Sequence, residues 1–313
     1  MTPALRIHGI VPPVPTPLTS AGEVDEAAFH RIFDHLAEGG AEGAFVLGST
    51  GELASLSPRQ RAAAIRFAVT AAAGRLPVLA GIGDNCTATS IELAGLAAEL
   101  GADAVVASAP SYYELSSREL QRHFHRLLPE IELPVMIYNM PWLTGHVLDA
   151  DCLRATLEHP GVIGFKDSSG DLAYLREMIG IAAIRPEVTV LVGNEYLYLA
   201  ALELGAHGAV GGGGNLFPAL FLELREAFLQ GDHSTAEALQ AKVTRLADRI
   251  YPLTGHPTSV FATIKAAMSC LGLCEPFMAP PLTSCSPSEI ETLRRVLTGP
   301  DAVHAAHPVA AVA

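Results

Sequence analysis

The sequence is poor in lysine. Of its 20 basic residues only three, Lys166, Lys242 and Lys265, are lysines, and nowhere do basic residues gather into a block. With a formal net charge of −13, the chain lacks the electrostatic footprint of a partner for nucleic acid or for an anionic membrane surface, and neither is expected. Long apolar runs are also absent. No stretch approaches the roughly 18 uninterrupted apolar residues of a membrane span, and the first residues do not read as a signal peptide, so a soluble, cytoplasmic protein is expected. The five cysteines, Cys86, Cys152, Cys270, Cys274 and Cys285, form an odd set without a Cys-x-x-Cys pair. That argues against a disulfide framework. Cys270 and Cys274 lie one helical turn apart, but no histidine or carboxylate stands at matching spacing, and His123 and His125 belong to no ligand pattern. No metal site is expected. Finally, no Gly-x-Gly-x-x-Gly turn follows the first apolar run, where the chain reads Pro15-Thr16-Pro17-Leu18, which removes the usual signature of an open dinucleotide-binding sheet.

What is present is a regular alternation. Half of the 313 residues are hydrophobic, enough for one large barrel or two ordinary domains. Short β-rich runs are expected at residues 9–15, 44–48, 77–82, 104–107, 134–138, 162–166, 188–192 and 208–211. Between them alanine- and leucine-rich stretches predict helices over 25–39, 58–73, 88–100, 117–128, 149–157, 172–183 and 195–204, with an eighth over 218–230. The β runs are too apolar to be half exposed. Eight β-α units of this kind call for a parallel sheet closed on itself, a (β/α)8 TIM barrel, over residues 1–231. Residues 232–300 predict a C-terminal extension of three helices, over 234–251, 259–271 and 287–297, and 301–313 read as a frayed tail.

In such a barrel the active site lies at the carboxyl ends of the strands. The reactive residues collect there. The second run ends Gly48-Ser49-Thr50-Gly51-Glu52, the fourth leads to Pro110-Ser111-Tyr112-Tyr113, the fifth ends Tyr138-Asn139-Met140-Pro141 and the sixth ends at Lys166. The seventh ends Gly193-Asn194-Glu195 and the eighth passes through Val210 into Gly211-Gly212-Gly213-Gly214. Alone, Lys166 reads equally well as a strand-end lysine reaching solvent or as a nucleophile; its convergence with these groups selects the nucleophile. Arginine could not do this work, because a nucleophile must lose its proton. A lysine pKa of about 10.4 must fall by roughly three units, about 4 kcal/mol, to give a useful neutral fraction at pH 7, and a desolvating barrel mouth supplies such a shift. The Tyr138 phenol can shuttle the protons of imine formation. Ser49 and Thr50, in a glycine-flanked turn, can bind a carboxylate through backbone amides and hydroxyls. The glycines of 211–214 suit either a phosphate or a substrate chain needing room; without a basic residue in the loop, room for a chain is favoured.

These motifs together resemble the dihydrodipicolinate synthase and N-acetylneuraminate lyase family of pyruvate-dependent class I aldolases, over residues 9–297. Gly48-Ser49-Thr50-Gly51-Glu52 is similar to the family's Gly-Thr-Thr-Gly-Glu, Tyr138-Asn139-Met140-Pro141 to its Tyr-Asn-x-Pro, and Gly164-Phe165-Lys166-Asp167 to its Schiff-base lysine segment. The resemblance implies an imine between Lys166 and a 2-keto acid, with Tyr138 as proton donor and acceptor. It implies that Ser49 and Thr50 bind the carboxylate and join the relay, and that Tyr112 completes it across a subunit interface. It further implies a homotetramer built as a dimer of dimers that needs no metal or organic cofactor.

The departures bear on the substrate. Where dihydrodipicolinate synthases carry an arginine for aspartate semialdehyde, this chain has Leu143, which offers no charge. The stretch from Tyr138 to Gly145 is closer to the family's 2-keto-3-deoxy sugar acid aldolases and sialic acid lyases, which implies a substrate-binding set of Leu143, Gly193, Glu195, Val210 and Gly212 besides Ser49 and Thr50, with Glu195 accepting a sugar hydroxyl. The expected activity is that of a lyase cleaving a 2-keto-3-deoxy or 4-hydroxy-2-keto acid to pyruvate and an aldehyde, or the reverse. A dehydratase using the same imine, a 4-hydroxy-tetrahydrodipicolinate synthase and a non-catalytic keto-acid sensor are the alternatives.

Overall fold

The computed structural model describes residues 5–298. Eight parallel strands follow one another around the molecule: β1 (Gly9–Ile10), β2 (Ala44–Val46), β3 (Val78–Gly81), β4 (Ala104–Ser108), β5 (Val135–Asn139), β6 (Val162–Asp167), β7 (Thr189–Val192) and β8 (Gly208–Ala209). From β2 to β8 each pairs with its sequence neighbour, and β1 pairs with β8. The remaining seam is closed by a parallel bridge between Pro13 and Phe45, with the Val14 N–H donating to the Phe45 carbonyl at 2.8 Å. The structure is a (β/α)8 barrel.

The outer strands are shorter than the sequence suggests. Pro12, Pro13, Pro15 and Pro17 have no N–H to give a ladder, so β1 ends at Ile10. Gly208 lies so close to β1 that a Cβ on it would stand 2.0 Å from the Gly9 carbonyl oxygen. Along the strands the side chains alternate. Phe45, Leu79, Val106, Met136, Leu191 and Val210 fill the barrel interior, while Val46, Val78, Val105, Ile137, Phe165 and Val190 pack outward into the larger core beneath the helices.

The helices around the barrel are α1 (Glu26–Glu38), α2 (Pro58–Ala72), α3 (Thr87–Glu99), α4 (Ser117–Leu127), α5 (Pro141–Thr144), α6 (Ala150–Leu157), α7 (Leu172–Ala182), α8 (Tyr198–Glu203) and α9 (Pro218–Leu229). Capping boxes at Ser57/Gln60 and Ser116/Glu119 fix the starts of α2 and α4, each device worth about 1 kcal/mol. The four-residue α5 is too short to leave a periodic signal, and the helix expected over 195–204 opens instead as a 3-10 turn, Glu195–Leu197, whose Tyr196 N–H is held by the Asn194 side chain. Three further helices, α10 (His233–Ile250), α11 (Ser259–Cys270) and α12 (Pro287–Thr298), complete the described residues. Residues 301–313, read as a frayed tail, lie outside the described residues. The five cysteines are free thiols, and among the described residues no helix is long and apolar enough to cross a membrane.

Candidate active site

Strand register sets the centre of the site. Lys166 is the Cα partner of Tyr138 on one side and of Leu191 on the other, and alternation turns it inward while Phe165 and Asp167 face out. Its ammonium nitrogen lies 3.9 Å from the Tyr138 ring centroid and 4.9 Å from that of Phe45. The residue is 4% exposed, and among the described residues no carboxylate stands within ion-pair distance of it. Burial lowers its pKa to about 7, with the neighbouring Asp167 charge opposing. A substantial neutral fraction at pH 7 follows, as an imine-forming amine requires. Asp167 is occupied elsewhere: it accepts from Asn139 Nδ2 at 2.8 Å and from Ser169 Oγ at 2.8 Å.

Tyr138 is 5% exposed, and burial pushes its pKa up to about 12 against hydrogen bonds from Ser168 and Ser49. The phenol therefore holds its proton at neutral pH. Ser168 Oγ lies 3.4 Å from the phenol oxygen and was not singled out from the sequence, although it stands two residues after the lysine in the same polar turn. Two hydroxyls and a phenol thus meet beside the amine.

The turn carrying Ser49 and Thr50 is held under strain. Leu47 and Glu52, on either side of it, adopt left-handed φ values of 55° and 61°, each worth on the order of 1–3 kcal/mol of backbone energy that the surroundings must offset. Glycine is required inside, since a Cβ on Gly51 would stand 2.7 Å from the Leu47 nitrogen. Thr16 Oγ1 donates to the Gly51 carbonyl at 2.7 Å. The Glu52 carboxylate, fully buried, binds the Lys265 ammonium of α11 and accepts from the Ala279 N–H at 2.6 Å. The last residue of the turn is therefore anchored by the C-terminal helices, a link spanning 213 residues that no local pattern reveals.

On the far side of Lys166, a Cβ on Gly193 would come within 1.9 Å of Ser168 Oγ and 3.2 Å of Lys166 Cε. Only glycine lets β7 end this close to the lysine. Glu195 differs from expectation. Its carboxylate accepts from the Tyr251 hydroxyl and, at 2.8 Å, from the Gly213 N–H, so both oxygens already have partners within the protein. The glycine loop divides its space between protein and cavity. Cβ atoms on Gly211 and Gly213 would each lie 2.8 Å from Glu195 oxygens, and one on Gly212 would lie 2.4 Å from Ile264 Cδ1. Gly211 and Gly213 thus leave room for the Glu195 carboxylate, while Gly212 lines the cavity that holds Lys166.

Two cavities open here. One, of about 300 Å³, is lined by Lys166, Tyr138, Ser49, Thr50, Ser168, Gly193, Glu195, Val210, Gly212 and Tyr251, and is walled by Trp142 and Phe261. Trp142 stacks on Phe261 with ring centroids 5.8 Å apart. The second, of about 340 Å³, shares Ser49, Tyr138, Met140 and Phe261 and contains Leu143. Leu143 thus borders the adjoining cavity and not that of Lys166. Tyr112 joins neither cavity in the single chain. It is 78% exposed, edge-on to Tyr113, on a loop fixed by Asn85 Oδ1, which accepts from the Tyr112 N–H at 3.0 Å.

A buried lysine with its pKa lowered to about 7, at the carboxyl end of the sixth strand beside a protonated phenol, is the arrangement expected of a (β/α)8 lyase of the imine-forming kind. The chain belongs to the dihydrodipicolinate synthetase family, whose sequence pattern matches residues 6–299. Among its relatives, a probable 2-dehydro-3-deoxy-D-pentonate aldolase, YjhH of Escherichia coli K12, is 33% identical over 296 residues, covering 94% of this chain and 97% of the relative. A 4-hydroxy-tetrahydrodipicolinate synthase from Exiguobacterium sibiricum is 33% identical, covering 82% of this chain and 86% of the relative. Among solved structures, dihydrodipicolinate synthase from Bacteroides thetaiotaomicron is 38% identical with a TM-score of 0.89, covering 93% of this chain and 97% of that one. YagE of Escherichia coli K12, solved in complex with pyruvate, is 32% identical with a TM-score of 0.87 and the same coverage.

Proposed function

We propose that this protein is a class I aldolase that cleaves a 2-keto-3-deoxy sugar acid to pyruvate and an aldehyde, or runs the reverse condensation. The Lys166 amine attacks the C2 carbonyl, water leaves, and the resulting imine draws electrons from the C3–C4 bond as it breaks. Tyr138, with Ser49 and Ser168 beside it, carries the protons on and off the carbonyl oxygen and the C4 hydroxyl. The Ser49–Thr50 turn holds the carboxylate. No metal or organic cofactor enters this scheme. The protein works as a homotetramer in which Tyr112, exposed on its own protomer, reaches a neighbour's site.

One observation carries the choice of substrate. Among the residues lining the Lys166 cavity, Lys166 is the only cation. The arginine of the adjoining cavity, Arg61, is already paired with Asp84 at 3.1 Å. A second substrate carboxylate, as in aspartate semialdehyde, would find no charge-assisted partner, and that loss is worth a few kcal/mol of binding. A neutral hydroxylated tail meets no such penalty. The pyruvate bound in the similar YagE structure and the activity named for YjhH support this reading.

Incubation with pyruvate followed by borohydride tests it: a covalent adduct on Lys166, located by mass spectrometry, is expected, and its absence would sink the imine mechanism. A substrate panel then separates the reactions. Pyruvate release from keto-deoxy sugar acids is expected; a dehydrated keto acid product would instead mark a dehydratase, and efficient condensation with aspartate semialdehyde would return the chain to the synthases.

A further inference from the structure

The far end of the Lys166 cavity must meet the substrate's tail, and its polar groups are mostly spent. Both Glu195 oxygens are bound within the protein, wrapped by Gly211 and Gly213. Asn194 Oδ1 accepts from the Tyr196 N–H at 3.1 Å. Tyr251, contributed by the end of α10, remains. Tyr251 lines the cavity, and its hydroxyl gives its single proton to Glu195 Oε1 at 2.5 Å. Burial and the Glu195 charge hold that phenol protonated, with the Gly213 N–H beside its oxygen opposing. With its proton committed, the oxygen can meet a ligand in the cavity only as an acceptor. Gly212 keeps it uncovered, since a Cβ there would lie 3.2 Å from the phenol oxygen.

We propose that Tyr251 is a specificity-determining residue: its phenol oxygen accepts a hydrogen bond from a hydroxyl on the tail of the substrate, on the carbon next to the one that becomes the aldehyde, while Glu195 orients the phenol without touching substrate. The site thereby selects tails that donate a hydrogen bond over tails of the same shape that do not. Sites built to bind a hydroxyl discriminate strongly against analogues lacking it, because the protein group is left unpaired. The inference rests on the aldolase reading and specifies its substrate class further.

The test uses condensation of pyruvate with glycolaldehyde or with propanal, which has a methyl group in place of the hydroxyl. In either case the new C3–C4 bond yields a 4-hydroxy-2-keto acid, and the water lost in forming the imine is regained on its hydrolysis. The ratio of kcat/KM for glycolaldehyde to that for propanal is expected to fall about tenfold or more in Tyr251→Phe, the equivalent of one hydrogen bond. A ratio unchanged in that variant, or a loss shared equally by both aldehydes, overturns the proposal. Fluoroacetaldehyde gives a second measurement on the unmodified enzyme. It is the more electrophilic aldehyde but lacks the donor proton, so a preference for glycolaldehyde is expected and a preference for the fluoride overturns the proposal. An unmodified enzyme that condenses neither aldehyde and forms no pyruvate adduct overturns the aldolase reading and this inference together. One that condenses both while the ratio ignores Tyr251 overturns this inference alone.

Discussion

Two of the three lysines are buried, and the difference between them is instructive. Lys265 is fully enclosed, with its ammonium bound to the Glu52 carboxylate and, at 2.9 Å, to the Phe277 carbonyl. Lys166 is almost as deeply buried, yet two aromatic rings stand where those oxygens would be. Burial depresses both amines, but at Lys265 the Glu52 charge and hydrogen bond work against it, whereas Lys166 has only the more weakly placed Asp167. The ion pair is the state we assign to Lys265 and Glu52, because each charged group has a second hydrogen-bond partner. Burial alone therefore does not make a lysine reactive. What sets Lys166 apart is burial without a counter-ion, on a rigid strand.

The largest contrast concerns activity. Lys166→Ala is expected to lower turnover by at least about a thousandfold and to abolish the borohydride-trapped adduct while leaving the circular dichroism spectrum intact; retained turnover would move the chemistry elsewhere. Next is stability. Lys265→Ala leaves Glu52 buried and unpaired and should cost about 3–5 kcal/mol in urea denaturation, whereas the apolar double variant Glu52→Leu/Lys265→Met should recover much of that loss. A double variant no more stable than the single one would show that the pair is needed as a pair.

Removing the unpaired amine should do the opposite. The Lys166 pKa is below its unfolded value, so the unfolded chain binds more protons between about pH 7 and pH 10.5, and stability rises with pH across that window. The cost is greatest below pH 7. Lys166→Met should therefore stabilise the fold by up to about 4 kcal/mol at pH 6, with the gain gone by pH 10.5. Equal gains at both pH values would refute the assignment. The smallest effect is kinetic: the trapping rate with pyruvate should fall about tenfold per pH unit below 7 as the amine becomes protonated, and a flat profile from pH 5 to pH 7 would contradict it.

Much of this was legible in the sequence. Apolar runs and glycine punctuation give the eight strands within a few residues, because buried parallel strands have little choice of composition. Lys166, Tyr138, Ser49 and Thr50 were legible because the barrel delivers strand ends to one rim. The partners across the sequence were not. Nothing near Glu52 announces Lys265, and Tyr251 reads only as the end of a helix. The loop over 211–214 shows the limit well: four glycines declare that space is needed but not what takes it, and at Gly211 and Gly213 it is the Glu195 carboxylate from the previous strand end.

The stack of Trp142 on Phe261 has a use outside catalysis. Trp142 is the chain's sole tryptophan, and its ring faces the Lys166 cavity on one side of a contact made by α11 on the other. Its emission is thus a built-in optical reporter for a single place, where ligand entry and the seating of the C-terminal helices on the barrel mouth can both be followed without attaching a label.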